Sequence, residues 1–168
     1  EMGEIIKEFF LEIVGKELCV FFCSMLPVIE LRGGIPMAFA LGLPWWQAYL
    51  ISVLGNLLPV PFILLLINLV IKWMSSSKVT FFNKIANFLL KKVEKNRERI
   101  EKYSFWGLFL FVAIPLPMTG AWTGSLVAAV VGVKPLKAFL SVLLGVLLAG
   151  VIVTLIVYGG IGFLAWLL

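Results

Sequence analysis

Two short segments hold most of the chemistry available to this sequence: PVIELRGGIP at 27–36 and PLPMTGAWTG at 115–124. Glu30 and Arg32 are the only charges inside the apolar blocks 18–43 and 105–133. Arg32 keeps its charge and presents a planar fork of donors that can clamp a phosphate or a carboxylate. Glu30 can be neutralised by burial and so can carry a coupling proton. Gly33 and Gly34 let backbone N–H groups approach an anion. In the second segment Thr119 and Thr123 offer hydroxyls, Gly120 helps to break the chain, and Trp122 offers a flat face to a cation or a prenyl chain. Asn56 either faces the same cavity or bonds across helices. The plainer alternatives are a self-neutralising Glu30–Arg32 pair, snorkelling to water, and interface anchoring by Trp122. Cys19 and Cys23 stack on one helix face and read as packing, with no metal set.

Composition narrows the class. The chain has 168 residues, 62% hydrophobic and 14% charged, against roughly 45–50% and 25% in soluble domains. So few polar groups cannot cover a soluble surface, which leaves an integral membrane protein. The sequence has no His and no Asp. His-ligated zinc, a Ser-His-Asp triad and an aspartyl-phosphate are thereby excluded, and neither an enzyme nor a cofactor is expected. An acidic N-terminus without a basic n-region does not resemble a cleavable signal peptide.

The elements that must position these residues are helical. Residues 4–14 carry the apolar stripe Ile5, Ile6, Phe9, Phe10, Ile13 and Val14, expected to lie at an interface. Block 18–43 is long enough to span, but Pro27, Glu30, Arg32, Gly33, Gly34 and Pro36 crowd its middle. It reads as two half-helices meeting at a broken loop, a re-entrant hairpin. Residues 44–74 form a spanning helix between Trp45, Trp46 and Tyr49 and Lys72 and Trp73, kinked at Pro59 and Pro61. Residues 75–104 form a basic amphipathic linker, with Phe82, Ile85, Ala86, Leu89, Val93 and Ile100 on one face. Block 105–133 is broken at Pro115, Pro117, Gly120 and Gly124, 135–158 spans again, and Gly159, Gly160 and Gly162 loosen the tail.

The halves align without a gap at an offset of 90, with 14 identities over positions 21–71. Phe21 falls on Phe111, Pro27 on Pro117, Gly34 on Gly124 and Gly55 on Gly145. The expected architecture is a single all-α membrane domain of two inverted repeats, 18–74 and 105–168, joined by the linker 75–104. Each repeat is a re-entrant hairpin plus a transmembrane helix, so each crosses once and the two are opposed. The positive-inside rule agrees. Nine of the fourteen basic residues lie between Lys72 and Lys102, and the corner at 132–137 adds Lys134 and Lys137. Both are then cytoplasmic, and the uncharged corner 42–47 is external. The alternative is four full crossings in parallel repeats.

The ELRGGIP and PLPMTGAWTG segments and the small size resemble the small multidrug export family of prokaryotic membrane proteins. The resemblance covers residues 18–160 and implies a transporter in the inner membrane. More distantly, Gly/Pro-rich acidic hairpins look like DedA/VTT proteins, implying lipid scrambling or handling of polyprenyl phosphates, with proton coupling. The second hairpin lacks the arginines usual in DedA proteins. The function expected is secondary transport, with both hairpin tips meeting at the midplane around an amphipathic cation or a lipid phosphate. Membrane lipids and a second copy of the chain are the expected partners, with no nucleic acid. A non-transporting scaffold or a subunit of a larger membrane complex is the alternative.

Overall fold

In the computed structural model the described residues are 2–95, 97–116 and 119–167. All regular elements among them are helical. They are α1 (Met2–Met25), α2 (Glu30–Ala40), α3 (Trp45–Leu57), α4 (Pro59–Ser75), α5 (Thr80–Lys95), α6 (Arg97–Ala113), α7 (Ala121–Val131), α8 (Pro135–Thr154), a π-helical turn (Leu155–Gly159) and α9 (Gly160–Leu167).

Two helical stretches are long and apolar enough to cross a membrane: Trp45–Ser75, of 31 residues, and Pro135–Gly159, of 25. At about 1.5 Å per residue each exceeds a hydrocarbon core of about 30 Å. Leu50, Leu54, Phe62, Leu65, Leu66 and Leu69 are exposed along the first, an apolar surface that only lipid or a partner would cover. Its ladder is interrupted at Leu58, where Pro59 supplies no N–H.

By contacts the chain forms two units, Glu1–Leu58 with Leu147–Leu168, and Pro59–Val146. The division falls inside the two long helices and not at the basic linker. Unit 1 holds α1, α2, α3, the end of α8, the π turn and α9. Within it α1, α2 and α3 pack on one another and the π turn packs on α2. Unit 2 holds α4, α5, α6, α7 and the start of α8, with α7 packed on α4, α5 and α6.

The corners after α2 and α7 are built alike. Gly42 and Gly132 adopt φ of 80° and 87°, a left-handed conformation that a Cβ disfavours. Leu43 N then donates to Ala38 O, and Val133 N to Ala128 O, at 3.0 and 2.9 Å. Ala48 N to Pro44 O and Ala138 N to Lys134 O follow at 3.0 and 2.9 Å. The offset of 90 therefore holds through these corners. It fails in the first helices. Phe21 O faces the Cβ position of Gly55 at 2.5 Å, and Phe109 O that of Gly145 at 3.0 Å. The partner of Phe21 is thus Phe109 rather than Phe111, because the connection after α6 is longer than the one after α1. Pro117, paired with Pro27 by sequence, lies outside the described residues.

Several boundaries differ from expectation. α1 runs unbroken from Met2 to Met25, so 4–14 is no separate helix. Lys16 pairs with Glu12 at 3.2 Å across the turn containing Gly15 and supports continuity there. Of its expected stripe, the side chains of Ile6, Phe9, Phe10, Ile13 and Val14 lie outside the described residues. The first break is only residues 26–29, and Gly33, Gly34 and Pro36 sit inside α2. α6 begins at Arg97, so 97–104 is its first part and not linker; the side chains of Val93 and Ile100 lie outside the described residues. α5 packs on α4 and α7, with Ala86 fully buried. Asn83 Nδ2 holds Ser75 O at 2.9 Å, and the Phe82 ring lies 5.9 Å from that of Trp73. The glycines at 159 and 160 end and resume helix rather than loosening the chain.

Gly132→Ala should lower stability by about 1–2 kcal/mol, the cost of the left-handed conformation. Gly107→Ala meets nothing within 4 Å of its new Cβ and should not lower it. Thermal melts in detergent check both; equal melting temperatures would remove the constraint assigned to the corner.

Candidate functional site

The site in unit 1 is a stack of layers where α1, α2 and α3 converge. Val20, Ala38 and Ala48 form the first, fully buried. Ser24, Gly34 and Ser52 form the next. A Cβ on Gly34 would run into Ser24 Oγ and stand 3.1 Å from Ser52 Oγ. α2 and α3 are antiparallel, so the register of 38 with 48 and 34 with 52 continues to 30 with 56. Glu30 and Asn56 therefore fall on the third layer, 3% and 2% exposed.

This stack is polar. Ser24 Oγ donates to Val20 O at 2.7 Å. Ser52 Oγ and Asn56 Oδ1 are buried without a hydrogen-bond partner among the described residues. Such groups cost about 1–3 kcal/mol each unless something satisfies them. Glu30 opens α2 at φ 50°, the one non-glycine residue with positive φ among those described. That backbone costs about 1–2 kcal/mol, and strain of this kind persists where the surroundings over-determine it. Arg32, half-buried on α2, interacts electrostatically with Glu30.

The structure reassigns the glycines. Gly33 N donates to Ile29 O at 3.0 Å, and Gly34 N lies within the α2 ladder, so these amides serve the helix rather than an anion. Their role is close approach. A Cβ on Gly33 would meet the Ile29 side chain, and one on Gly55 would lie 3.0 Å from Ser24 Cβ.

Residues from the end of α8 and from the π turn also pack in unit 1. Tyr49 Oη donates to Leu147 O at 3.0 Å and Tyr158 Oη to Leu43 O at 2.8 Å. The Tyr158 ring stands edge-on to Phe39 at 5.1 Å. Thr154, before the π turn, has a buried Oγ1 with no partner among the described residues. Sequence reasoning missed Ser24, Ser52, Thr154 and Tyr158. The i, i+4 spacing of Ser52 and Asn56 was a usable signal; the π turn had none.

Unit 2 has the same frame with different side chains. Val112 lies 2.7 Å from the Cβ position of Gly124 and 2.8 Å from that of Gly145, as Ser24 lies against Gly34 and Gly55. The counterparts of Ser52 and Asn56 are Val142 and Val146, both fully buried. Gly120 stands for Glu30 and Trp122 for Arg32. Thr119 Oγ1 donates to Ile114 O and Leu116 O, both at 2.8 Å, so its hydroxyl holds its own loop. Gly120 precedes α7 in extended backbone, and Trp122 and Thr123 are half-buried in its first turn. An apolar cleft of about 330 Å³ runs between α6 and α7, lined by Tyr103, Gly107, Leu108, Phe111 and Val127 among others. Glu30, Arg32, Gly33, Gly34 and Asn56 are thus gathered in unit 1, and Thr119, Gly120, Trp122 and Thr123 in unit 2.

The family model described as "Putative small multi-drug export protein" matches residues 30–152, from Glu30 into α8. The chain belongs to this family. The family's description is one of membrane export, in agreement with the apolar helices. No curated protein and no solved structure matches the chain.

The contact at Gly34 is testable. Gly34→Ala should destabilise the protein, and Ser24→Ala should restore part of the loss in the double variant, a coupling expected of touching residues. Additive effects on the melting temperature would contradict this contact.

Proposed function

We propose that this protein is a secondary transporter whose site is the polar stack of unit 1. The observation that carries the reading is the contrast between the units. An equivalent helical frame closes in unit 2 around Val112, Val142, Val146 and Gly120. Packing therefore does not require Ser24, Ser52, Asn56 and Glu30. Buried polar groups that the fold can replace by valine, with a strained acid beside them, support a ligand site.

In this reading Glu30 is the coupling acid and Arg32 meets an anionic group. Asn56 and Ser52 supply neutral hydrogen bonds. Thr119, Gly120, Trp122 and Thr123 are the second set of substrate contacts, with Trp122 offering an apolar face. The two broken pairs, α1–α2 and α6–α7, are re-entrant hairpins in inverted repeats, and the basic residues of α5 lie at the cytoplasmic face. The substrate is amphipathic, because exposed apolar residues flank a short polar stack. A hydrophobic cation fits Glu30 and the family's description; a polyprenyl phosphate fits Arg32. The protein works as a homodimer.

The test is transport in proteoliposomes under an imposed pH gradient. Ser52→Val with Asn56→Val should preserve or raise the melting temperature and abolish transport. Glu30→Gln should remove its pH dependence. Arg32→Lys should weaken polyprenyl phosphate binding and spare a hydrophobic cation, since lysine lacks the planar fork. Full transport by the valine variant would overturn the site.

A further inference from the structure

The cleft between α6 and α7 in unit 2 is lined by none of the residues of the transport reading. Gly107 makes its room. A glycine inside a helix costs about 0.8–1.0 kcal/mol relative to alanine. Gly34, Gly124 and Gly145 offset that by close approach, since a Cβ on each would strike a neighbour. Gly107 lines the cleft, and a Cβ there meets nothing within 4 Å. Its missing side chain serves the cavity and not the packing of helices. Ser104, also in the lining, has a buried Oγ with no hydrogen-bond partner among the described residues. It is a donor left for an oxygen of a ligand.

The charge beside the cleft is positive. From Glu101 to Lys137 the sequence holds three lysines, Lys102, Lys134 and Lys137, against a single acid, Glu101. Lys102 Nζ stands 5.3 Å over the ring of Tyr103, a lining residue. Lys134 follows Val133, another lining residue, in the corner after α7. Lys137 Nζ donates to Glu101 O at 2.6 Å and ties that corner to the same turn of α6.

These features select an occupant. About 330 Å³ is at the low end of ligand pockets, which run to about 1,000 Å³, so it suits one chain rather than a bulky ring system. From Tyr103 to Phe111 the slot follows about 12 Å of helix. The lysines oppose a hydrophobic cation and attract an anionic headgroup. Leu110, Leu126 and Val127 are exposed around it, so the cleft is open to the surrounding lipid. We propose that it holds one acyl chain of an anionic phospholipid, with the phosphate against Lys102 and Lys134 and an ester oxygen accepting from Ser104 Oγ. The site lies within unit 2 and stands independently of the transport reading.

The test uses the full chain in detergent, with lipid retention read by native mass spectrometry after addition of dioleoyl phosphatidylglycerol or dioleoyl phosphatidylcholine. Wild type should hold one phosphatidylglycerol per chain, about tenfold more readily than phosphatidylcholine. Gly107→Leu fills the cleft and should lose both lipids, with helical circular dichroism and elution as in wild type. Lys102→Gln with Lys134→Gln leaves the cleft open and should bring phosphatidylglycerol down to the level of phosphatidylcholine. Ser104→Ala should weaken both lipids alike. Wild-type retention by a folded Gly107→Leu overturns the cleft as the site. An unchanged preference in the lysine variant overturns the headgroup contact, whether or not Gly107→Leu folds, as does equal retention of the two lipids by wild type. Displacement of phosphatidylglycerol by an equal concentration of oleate overturns a phospholipid as the occupant.

Discussion

Everything in unit 1 is placed by the close approach of three helices at Ser24. Its side chain lies against two positions where only hydrogen is tolerated, Gly34 on α2 and Gly55 on α3. Lipid is as apolar as leucine, so helices in a membrane gain little by hiding leucines from it. They gain by close packing and by interhelical hydrogen bonds. Small residues at the crossing make such packing possible. The register set there carries Ala38 to Ala48, Ser52 to Gly34 and Asn56 to the level of Glu30.

The same solution appears in unit 2, with Val112 against Gly124 and Gly145. Glycines are kept and the serine is not. The frame therefore depends on the glycines, while the polarity of what they enclose can vary. Unit 1 encloses an acid, an amide and two hydroxyls; unit 2 encloses valines in three of those places. A buried carboxylate in hydrocarbon costs at least about 2.5–3.5 kcal/mol. At the matching position unit 2 has Gly120, so a buried acid is found in the frame of unit 1 and not in that of unit 2. The π turn at Leu155–Gly159 belongs to unit 1 as well, where Tyr158 reaches Phe39 and Leu43.

The exposed surface fits a membrane protein. Leucines and phenylalanines project from the long helices, and basic residues concentrate on α5 and its neighbours. α5 is more than a surface helix. It lays Ala86 into unit 2 and caps the end of α4 through Asn83.

Composition alone determined the membrane class, because so low a charged fraction leaves no way to cover a soluble surface. Local hydropathy determined both long helices, and a charged pair in an apolar block determined Glu30 and Arg32 as candidates. These are properties of short stretches, so they are legible without a fold. The role of Gly33 and Gly34 was not. A glycine reads as a turn until a Cβ is seen to strike Ser24 or Ile29. Nor was the continuity of α1, since a stripe interrupted by Glu and Lys looks the same in a separate helix and in the first half of a longer one. Tertiary structure alone decided that Ser24 and Ser52 share a layer with Gly34 and that Gly107 lines a cleft. The physical reason is register: which residues share a layer depends on where antiparallel helices come to rest against one another.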